Sequence, residues 1–266
     1  MLEVEFAELS DPGTVRAGNE DCLGHFVPAT PDEARRRGWL FALADGVGGQ
    51  AAGEVASRAA VESVLSEFRA SPAGEPLAPL LARLVQQANT RVLEANHDEA
   101  TTGSDMATTL VACALRYDFA AVAHVGDSRC YLVRRGQAKA LTRDHTVAAE
   151  QARLGLLTKA EAVGAPTRHL LSRSLGSGLF ADVEVSSHPL LVGDTLVLCS
   201  DGLHVAVADR EIADIVTVSE GLEDSAQKLV TLANQRDGSD NISVQLVRIR
   251  SVERVGMYRG RPYKLP

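Results

Sequence analysis

Four aspartates carry the first chemistry that this sequence suggests. Asp45, Asp127, Asp201 and Asp240 each stand at or just past the end of a strongly apolar run, or just before one begins. Asp45 and Asp201 are followed by glycine, Asp240 by Asn241, and Asp127 by Ser128-Arg129. A carboxylate in a strand-end loop points to one rim of a sheet, and a neighbouring glycine lets backbone carbonyls approach a ligand closely. A single such aspartate is an ordinary turn former. Four on one rim would repel one another unless a cation neutralised them. Hard oxygen donors without a nearby Cys/His set favour magnesium or manganese over zinc. The pattern alone leaves a metal cluster and a set of plain turns both open.

The elements that must position these residues are readable as alternating blocks. Residues 3–9 and 21–27 are short strand candidates, and Trp39–Ala44 is an apolar run stopped by Asp45-Gly46. Residues 51–69 and 77–96 show helical apolar spacing, with Ser71-Pro-Ala-Gly-Glu-Pro76 as the break between them. Residues 107–141 form a meander of short runs, ATTLVACAL, AAVAHV, CYLVR and AKALT, separated by turn residues. Residues 144–176 are mixed, with helical pieces near 147–155 and 158–162. Strands return at 181–188 and 194–199, helices at 209–217 and 222–235, and a closing strand at 242–250. Grouped strands with paired helices argue against a βαβ parallel sheet. The expected fold is α+β: a four-layer α-β-β-α sandwich, two antiparallel sheets flanked by helix pairs, in one domain.

Composition narrows the function classes. The chain has 266 residues, 45% of them hydrophobic and 23% charged, which excludes a disordered protein. No apolar run reaches the roughly 18 residues of a transmembrane helix, and the start, Met1-Leu-Glu-Val-Glu-Phe, lacks the basic region of a signal peptide. The net charge of −8 argues against nucleic acid as a partner and is compatible with cations as ligands. Cys22, Cys113, Cys130 and Cys199 form no CxxC pair, and three lie in strand-like runs, so they read as reduced cysteines of a cytoplasmic protein. A monomer is the expected state.

An ordered set of motifs then resembles the metal-dependent protein phosphatases, the type 2C Ser/Thr phosphatase family, in their bacterial form. The matching pieces run from Val15-Arg16-Ala-Gly-Asn19-Glu20-Asp21 and Phe41-Ala-Leu-Ala-Asp45-Gly46-Val-Gly48-Gly49 through Ala107-Thr108-Thr109-Leu and His124-Val-Gly126-Asp127-Ser128-Arg129. They continue through Leu141-Thr-Arg-Asp144-His145-Thr, Leu171-Ser-Arg173-Ser-Leu-Gly176 and Cys199-Ser200-Asp201-Gly202-Leu203 to Ser239-Asp240-Asn241-Ile242-Ser243. Each piece alone is weak, but the ordered set spans about residues 14–245 and is specific.

The resemblance implies two divalent cations, Mn2+ or Mg2+, bridged by a water or hydroxide that attacks phosphorus. It implies that Asp45 bridges both ions, that the Gly46 carbonyl binds one, and that Asp201 and Asp240 hold the other. Asp21 would act through a metal-bound water. Asp127 would help Asp201 hold a third, weaker ion, against the plain alternative of a turn aspartate capped by Ser128. Arg16 is implied as the phosphate clamp, since a guanidinium grips two oxygens in a fork. Its plain alternative is a surface salt bridge to Glu20 or Asp21. Thr108 and Thr109 read as structural, Asn241 as positioning Asp240, and His124 and His145 as packed, hydrogen-bonded side chains.

The chain departs from the family pattern at a few places. Val47 stands where eukaryotic members carry the histidine proposed to protonate the leaving group, and Gln50 stands where bacterial members often have histidine. Ala107 and Ser172 are mild changes. No implied metal ligand is lost.

Residues 1–250 are therefore expected to form the catalytic domain. Residues about 144–176 would form a flap beside the metal site that either gates substrate or is a plain surface excursion. From Arg248 to Pro266 six basic residues meet one acid, Glu253, so residues 251–266 read as a basic C-terminal tail: a solvated end, or a docking segment for an acidic face. The implied activity is hydrolysis of phosphoserine and phosphothreonine in proteins, opposing a eukaryotic-like Ser/Thr kinase. The alternatives are a catalytically weak binding or sensor module of the same fold, and a phosphatase acting on a phosphorylated antagonist protein in stress signalling.

Overall fold

The computed structural model describes residues 1–48, 51–96, 106–258 and 261–264. In chain order the elements are β1 (Glu3–Asp11), β2 (Asp21–Phe26), α1 (Pro31–Arg36), β3 (Trp39–Val47), α2 (Ala51–Ala70), α3 (Leu77–Asn96), β4 (Ala107–Thr108), β5 (Leu110–Arg116), β6 (Phe119–Val125), β7 (Arg129–Arg134) and β8 (Gln137–Ala140). They continue with α4 (Val147–Arg153), α5 (Lys159–Gly164), β9 (Glu184–Pro189), β10 (Thr195–Cys199), α6 (Asp201–His204), α7 (Asp209–Val218), α8 (Leu222–Arg236), β11 (Ile242–Ser251), β12 (Val255–Tyr258) and β13 (Arg261–Lys264).

The strands form two antiparallel sheets. One has the order β1-β11-β10-β7-β8; the other has β2-β3-β5-β6-β9, with β4 paired to the end of β3. Alternation along each strand sends one set of side chains inward and the next outward. Phe41, Leu43, Val111, Cys113, Leu196 and Leu198 fill the space between the sheets. On the outer faces, α2 and α3 cover one sheet through Val64, Phe68, Leu81 and Leu84. The α7–α8 pair covers the other through Ile212, Val216, Leu229 and Val230. These three apolar seams are the expected four layers.

Sequence and structure differ in the short elements. The helix α1 carries charged residues with one buried position, Ala34, so it shows no apolar stripe; Thr30 caps it by accepting from Glu33 N–H. The segment read as a basic tail is partly built in. Strand β11 runs to Ser251, Glu253 is buried against Arg35 (3.0 Å), and β12 pairs with β13 in an antiparallel hairpin. Four-residue strands holding Gly256 and Pro262 show no readable alternation. Of the six basic residues behind the docking reading, Arg248 and Arg250 lie in β11, where Arg250 pairs with Glu5, and the side chains of Arg259, Arg261 and Lys264 lie outside the description. Among the described residues no helix is long and apolar enough to cross a membrane.

Leu198 is fully buried between the sheets. Its truncation leaves a cavity that two opposed sheets cannot close. Leu198→Ala is expected to lower unfolding free energy by about 2–5 kcal/mol in urea titrations, with the slope of the transition unchanged.

Candidate metal centre and active site

Pairing register brings the first two carboxylates together. Asp21 at the start of β2 lies directly opposite Asp45 in β3. Asp201 follows the end of β10, and Asp240 precedes β11, the strand beside it. Asp127 follows β6 on the same sheet as β2 and β3. The site therefore straddles the seam between the two sheets, at one end of the sandwich.

Hydrogen bonds from neutral groups fix the backbone and the carboxylates. Thr109 Oγ1 accepts from Asp45 N–H (2.9 Å), while Thr108 Oγ1 and Thr109 N–H donate to the Asp45 carbonyl (2.8 and 2.9 Å). Gly46 N–H donates to the Glu20 carbonyl (3.1 Å). A side chain at Gly46 would run into the backbone carbonyl of Gly53 in the first turn of α2, so the close approach requires glycine. Ser200 Oγ donates to Asp21 Oδ2 (2.8 Å). Asn241 N–H donates to Asp240 Oδ1 (2.9 Å), and its side-chain amide ties Pro12, Gly18 and Glu20 to the same corner.

These contacts orient the acids without neutralising them. Burial, with the charges of Asp21, Asp201, Asp127 and Asp240, pushes the Asp45 carboxyl well above the usual range. Burial likewise pushes Asp21 up to about 7 and Asp127 up to about 8, each with repulsion from Asp201. Asp201 is raised by burial and by Asp240. One oxygen each of Asp21 and Asp201 is buried without a hydrogen-bond partner. Orphaned carboxylate oxygens in a cluster of this charge fit a divalent cation.

Arg16 departs from its plain alternative. Its guanidinium reaches Asp240 (2.9 Å) rather than Glu20 or Asp21, and it is half-exposed. It thus stands at the open edge of the acidic cluster. Asp127 departs too: the Ser128 hydroxyl, which was to cap it, bonds Thr109 Oγ1 (2.7 Å). Val47 is exposed at the end of β3. Gln50 lies outside the described residues.

His124 and His145 are buried and stacked, with ring centroids 4.6 Å apart. With Glu184 they present ligand atoms within 4.8 Å of one another. They are nevertheless engaged otherwise. His145 Nδ1 accepts from Gly126 N–H (3.2 Å), which places its proton on Nε2, and His124 Nε2 bonds the Arg143 carbonyl (2.8 Å). His145 Nε2–H faces Glu184 at 3.6 Å without a hydrogen bond, and Glu184 is itself held by Arg143 (2.9 Å), so the trio packs beneath the Asp127 turn.

The segment 144–176 contains the two expected helices, α4 and α5, capped by Thr146 and by a Thr158–Glu161 capping box. Only Ala148 of the two helices is buried, so the segment has little core of its own. Its neck is closed by the Thr146–Leu171 bridge and by Ser172 N–H to the His145 carbonyl (2.8 Å). Between it and α6 lies a cavity of about 680 Å3 that opens onto Asp127 and Asp201 and is lined also by Arg168, His169, His204 and Val205. His169 Nδ1 stands 4.0 Å from Asp201. Sequence reasoning left out His169, Ser200 and His204. Ser200 and His204 flank Asp201 in the chain, which was the one available signal.

With this geometry established, comparison with known proteins is informative. The family model described as protein phosphatase 2C matches residues 32–246. A serine/threonine phosphatase from Listeria welshimeri is 34% identical over 255 residues, covering 95% of this chain and 96% of the relative. The serine/threonine phosphatase of S. agalactiae has the same fold, with a TM-score of 0.85 at 33% identity over 93% of this chain and all of that one. A PstP catalytic domain solved in complex with 2 manganese ions superposes with a TM-score of 0.79 at 32% identity, over 94% of this chain and all of that one. The family match takes in Asp45, Asp127, Asp201 and Asp240, and the relatives match nearly the whole chain, so this chain belongs to the protein phosphatase 2C family of metal-dependent Ser/Thr phosphatases.

Proposed function

We propose that the rim carboxylates form a binuclear centre, holding Mn2+ or Mg2+, for hydrolysis of phosphoserine and phosphothreonine in proteins. The observation that carries this reading is the crowded, mutually repelling set Asp21, Asp45, Asp127 and Asp201, with Asp240 at its open edge beside Arg16 and orphaned oxygens on Asp21 and Asp201. Asp45 and the Gly46 carbonyl would hold one ion, and Asp45, Asp201 and Asp240 the other. Asp21 would act from behind, and Asp127 with Asp201 would take a third, weaker ion. When bound, such cations lower the pKa of water and offset the charge of the phosphoryl oxygens.

The chain's own residues supply orientation. Arg16, half-exposed at the edge of the cluster, would leave Asp240 and fork two phosphoryl oxygens, holding phosphorus in line for displacement. The backbone bonds of Thr108 and Thr109 keep Asp45 in place as charge shifts. The flap, with Arg168 and His169 facing the cavity, would bound the peptide on one side. Residues 1–250 would be the catalytic unit. A Ser/Thr kinase would supply the substrates, in keeping with the relatives' naming as serine/threonine phosphatases. The four free thiols support a reducing, cytoplasmic setting.

Metal-stripped protein incubated with a phosphothreonine peptide is expected to release phosphate only when manganese or magnesium is added. Asp45→Asn and Asp240→Asn should each lower that release by at least about a hundredfold. Arg16→Lys, which keeps the charge but loses the fork, should lower kcat/KM about tenfold. Release without added metal, or full activity in both Asn variants, would reject the binuclear reading.

The metal-free centre also sets a pH dependence. A carboxyl whose pKa is higher folded than unfolded takes up protons on folding. It therefore costs stability as pH rises from its unfolded value, about 4, through its folded value. Asp21 and Asp127 place that window's upper end at about 7 to 8. The Tm of chelator-stripped protein should thus rise between pH 8 and pH 6, and added manganese should raise Tm more at pH 8 than at pH 6. A Tm that falls over this range without metal would contradict the carboxylate cluster as the source.

A further inference from the structure

Asp127 is the carboxylate whose place depends least on strand register, because it sits in the turn between β6 and β7. The turn is held from both sides by histidines. Gly126 N–H donates to His145 Nδ1 (3.2 Å), and His145 N–H donates back to the Gly126 carbonyl (3.0 Å). On the other side, His204 Nε2 donates to the Asp127 carbonyl (3.0 Å). Gly126 has φ +101°, and a Cβ there would lie 2.6 Å from the Thr109 side chain, so the turn has one packed arrangement.

The position of His204 gives this contact its meaning. Helix α6 is four residues long, with Asp201 at its first position and His204 at its last. The same rigid turn therefore carries one carboxylate directly and holds the backbone of the other through an imidazole. Asp127 and Asp201 line the same cavity, and repulsion from Asp201 is felt at Asp127.

We propose that His204 is a positioning residue for a weakly held divalent cation: its Nε2–H, opposite His145 on the preceding peptide, sets the spacing at which Asp127 and Asp201 share that ion. The inference rests on the reading of the rim as a divalent-cation centre. His204 touches neither substrate nor ion and acts only through the Asp127 peptide. Groups of this kind, bonded behind a ligand, typically change metal affinity by about 10–100-fold when removed.

The test is Mn2+ binding to the stripped full-length chain, read from the electron paramagnetic resonance signal of free Mn2+, with thermal unfolding alongside. Wild type is expected to bind two ions tightly and a further one weakly. His204→Leu, which fills similar volume without a donor, should weaken only the last ion, by about tenfold or more. His204→Gln places an amide N–H where Nε2 stands and should stay within about threefold of wild type. The shorter His204→Asn cannot reach the Asp127 carbonyl; it should behave like the Leu variant, and it separates a lost bond from a lost fold if the Leu variant does not fold. A lowered Tm with an unchanged binding isotherm in the Leu or Asn variant would overturn the proposal, as would a Gln variant as weak as Leu. Wild type binding only two ions would overturn it while leaving the binuclear reading intact. Wild type binding none would overturn both.

Discussion

Everything at this rim depends on one unfavourable arrangement: carboxylates removed from water and placed beside one another. Folding must hold them there although burial and mutual repulsion both favour their protonation. The restoring force is the apolar core behind them. Residues Leu40 to Ala44, which lead directly into Asp45, are fully buried. The sequence thus places a fully buried apolar run immediately before a strongly perturbed acid, so that hydrophobic burial opposes the electrostatic cost. The groups around the acids are nearly all neutral: Ser200 and the Asn241 N–H donate to carboxylate oxygens, while Thr108 and Thr109 hold the Asp45 backbone. Such donors orient oxygens without discharging them. The arrangement remains short of positive charge, which is the condition under which a divalent cation binds well.

Because the acids come from both sheets, the distance between the sheets is part of the site. Asp21 and Asp45 belong to one sheet, Asp201 and Asp240 flank strands of the other, and Asp127 lies in the β6–β7 turn that joins the two. Their separation is set by the apolar layer in between, where Phe41, Leu43, Leu196 and Leu198 meet, and by bonds that cross at the rim, Ser200 to Asp21 and Asn241 to Glu20. Protein interiors are packed closely enough that a lost methylene group shifts or strains its surroundings. A change deep in this layer therefore acts on metal geometry as well as on stability, and the two effects share one cause.

The large elements were legible in the sequence, and so was the rim, for the same reason. An apolar run such as Trp39–Ala44 that stops at Asp-Gly announces both a buried strand and an acid at its mouth. The paired helices showed apolar spacing, and the flap helices were marked by Thr146 and Thr158 at their starts. What stayed hidden was non-local or too short to have a period. Arg16 finds Asp240, 224 residues away, rather than its sequence neighbours. Ser200 reaches Asp21 across 179 residues, and His204 reaches the Asp127 carbonyl across 77. No pattern within a window of the chain encodes such a pair. Helix α6 lacks a side-chain cap and spans a single turn, and the β12–β13 hairpin has too few residues to alternate.

The segment between Asp144 and Gly176 combines two opposite mechanical demands. At its neck, His145 bonds Gly126 through both its backbone N–H and its ring, and its carbonyl accepts from Ser172 N–H. Arg129 adds a bidentate bridge to Asp144 (2.7 Å for both contacts), which overcomes partial burial and holds that half-buried carboxyl below its usual range. The Asp127 turn and both ends of the flap are thus one unit. Beyond the neck the anchoring stops: α5 buries no residue, and Leu154, Leu156, Val163 and Leu170 are exposed. Few buried contacts mean a low local opening free energy. The tip has the freedom to adjust to the surface of a protein substrate, while the neck stays bonded to the turn that carries Asp127.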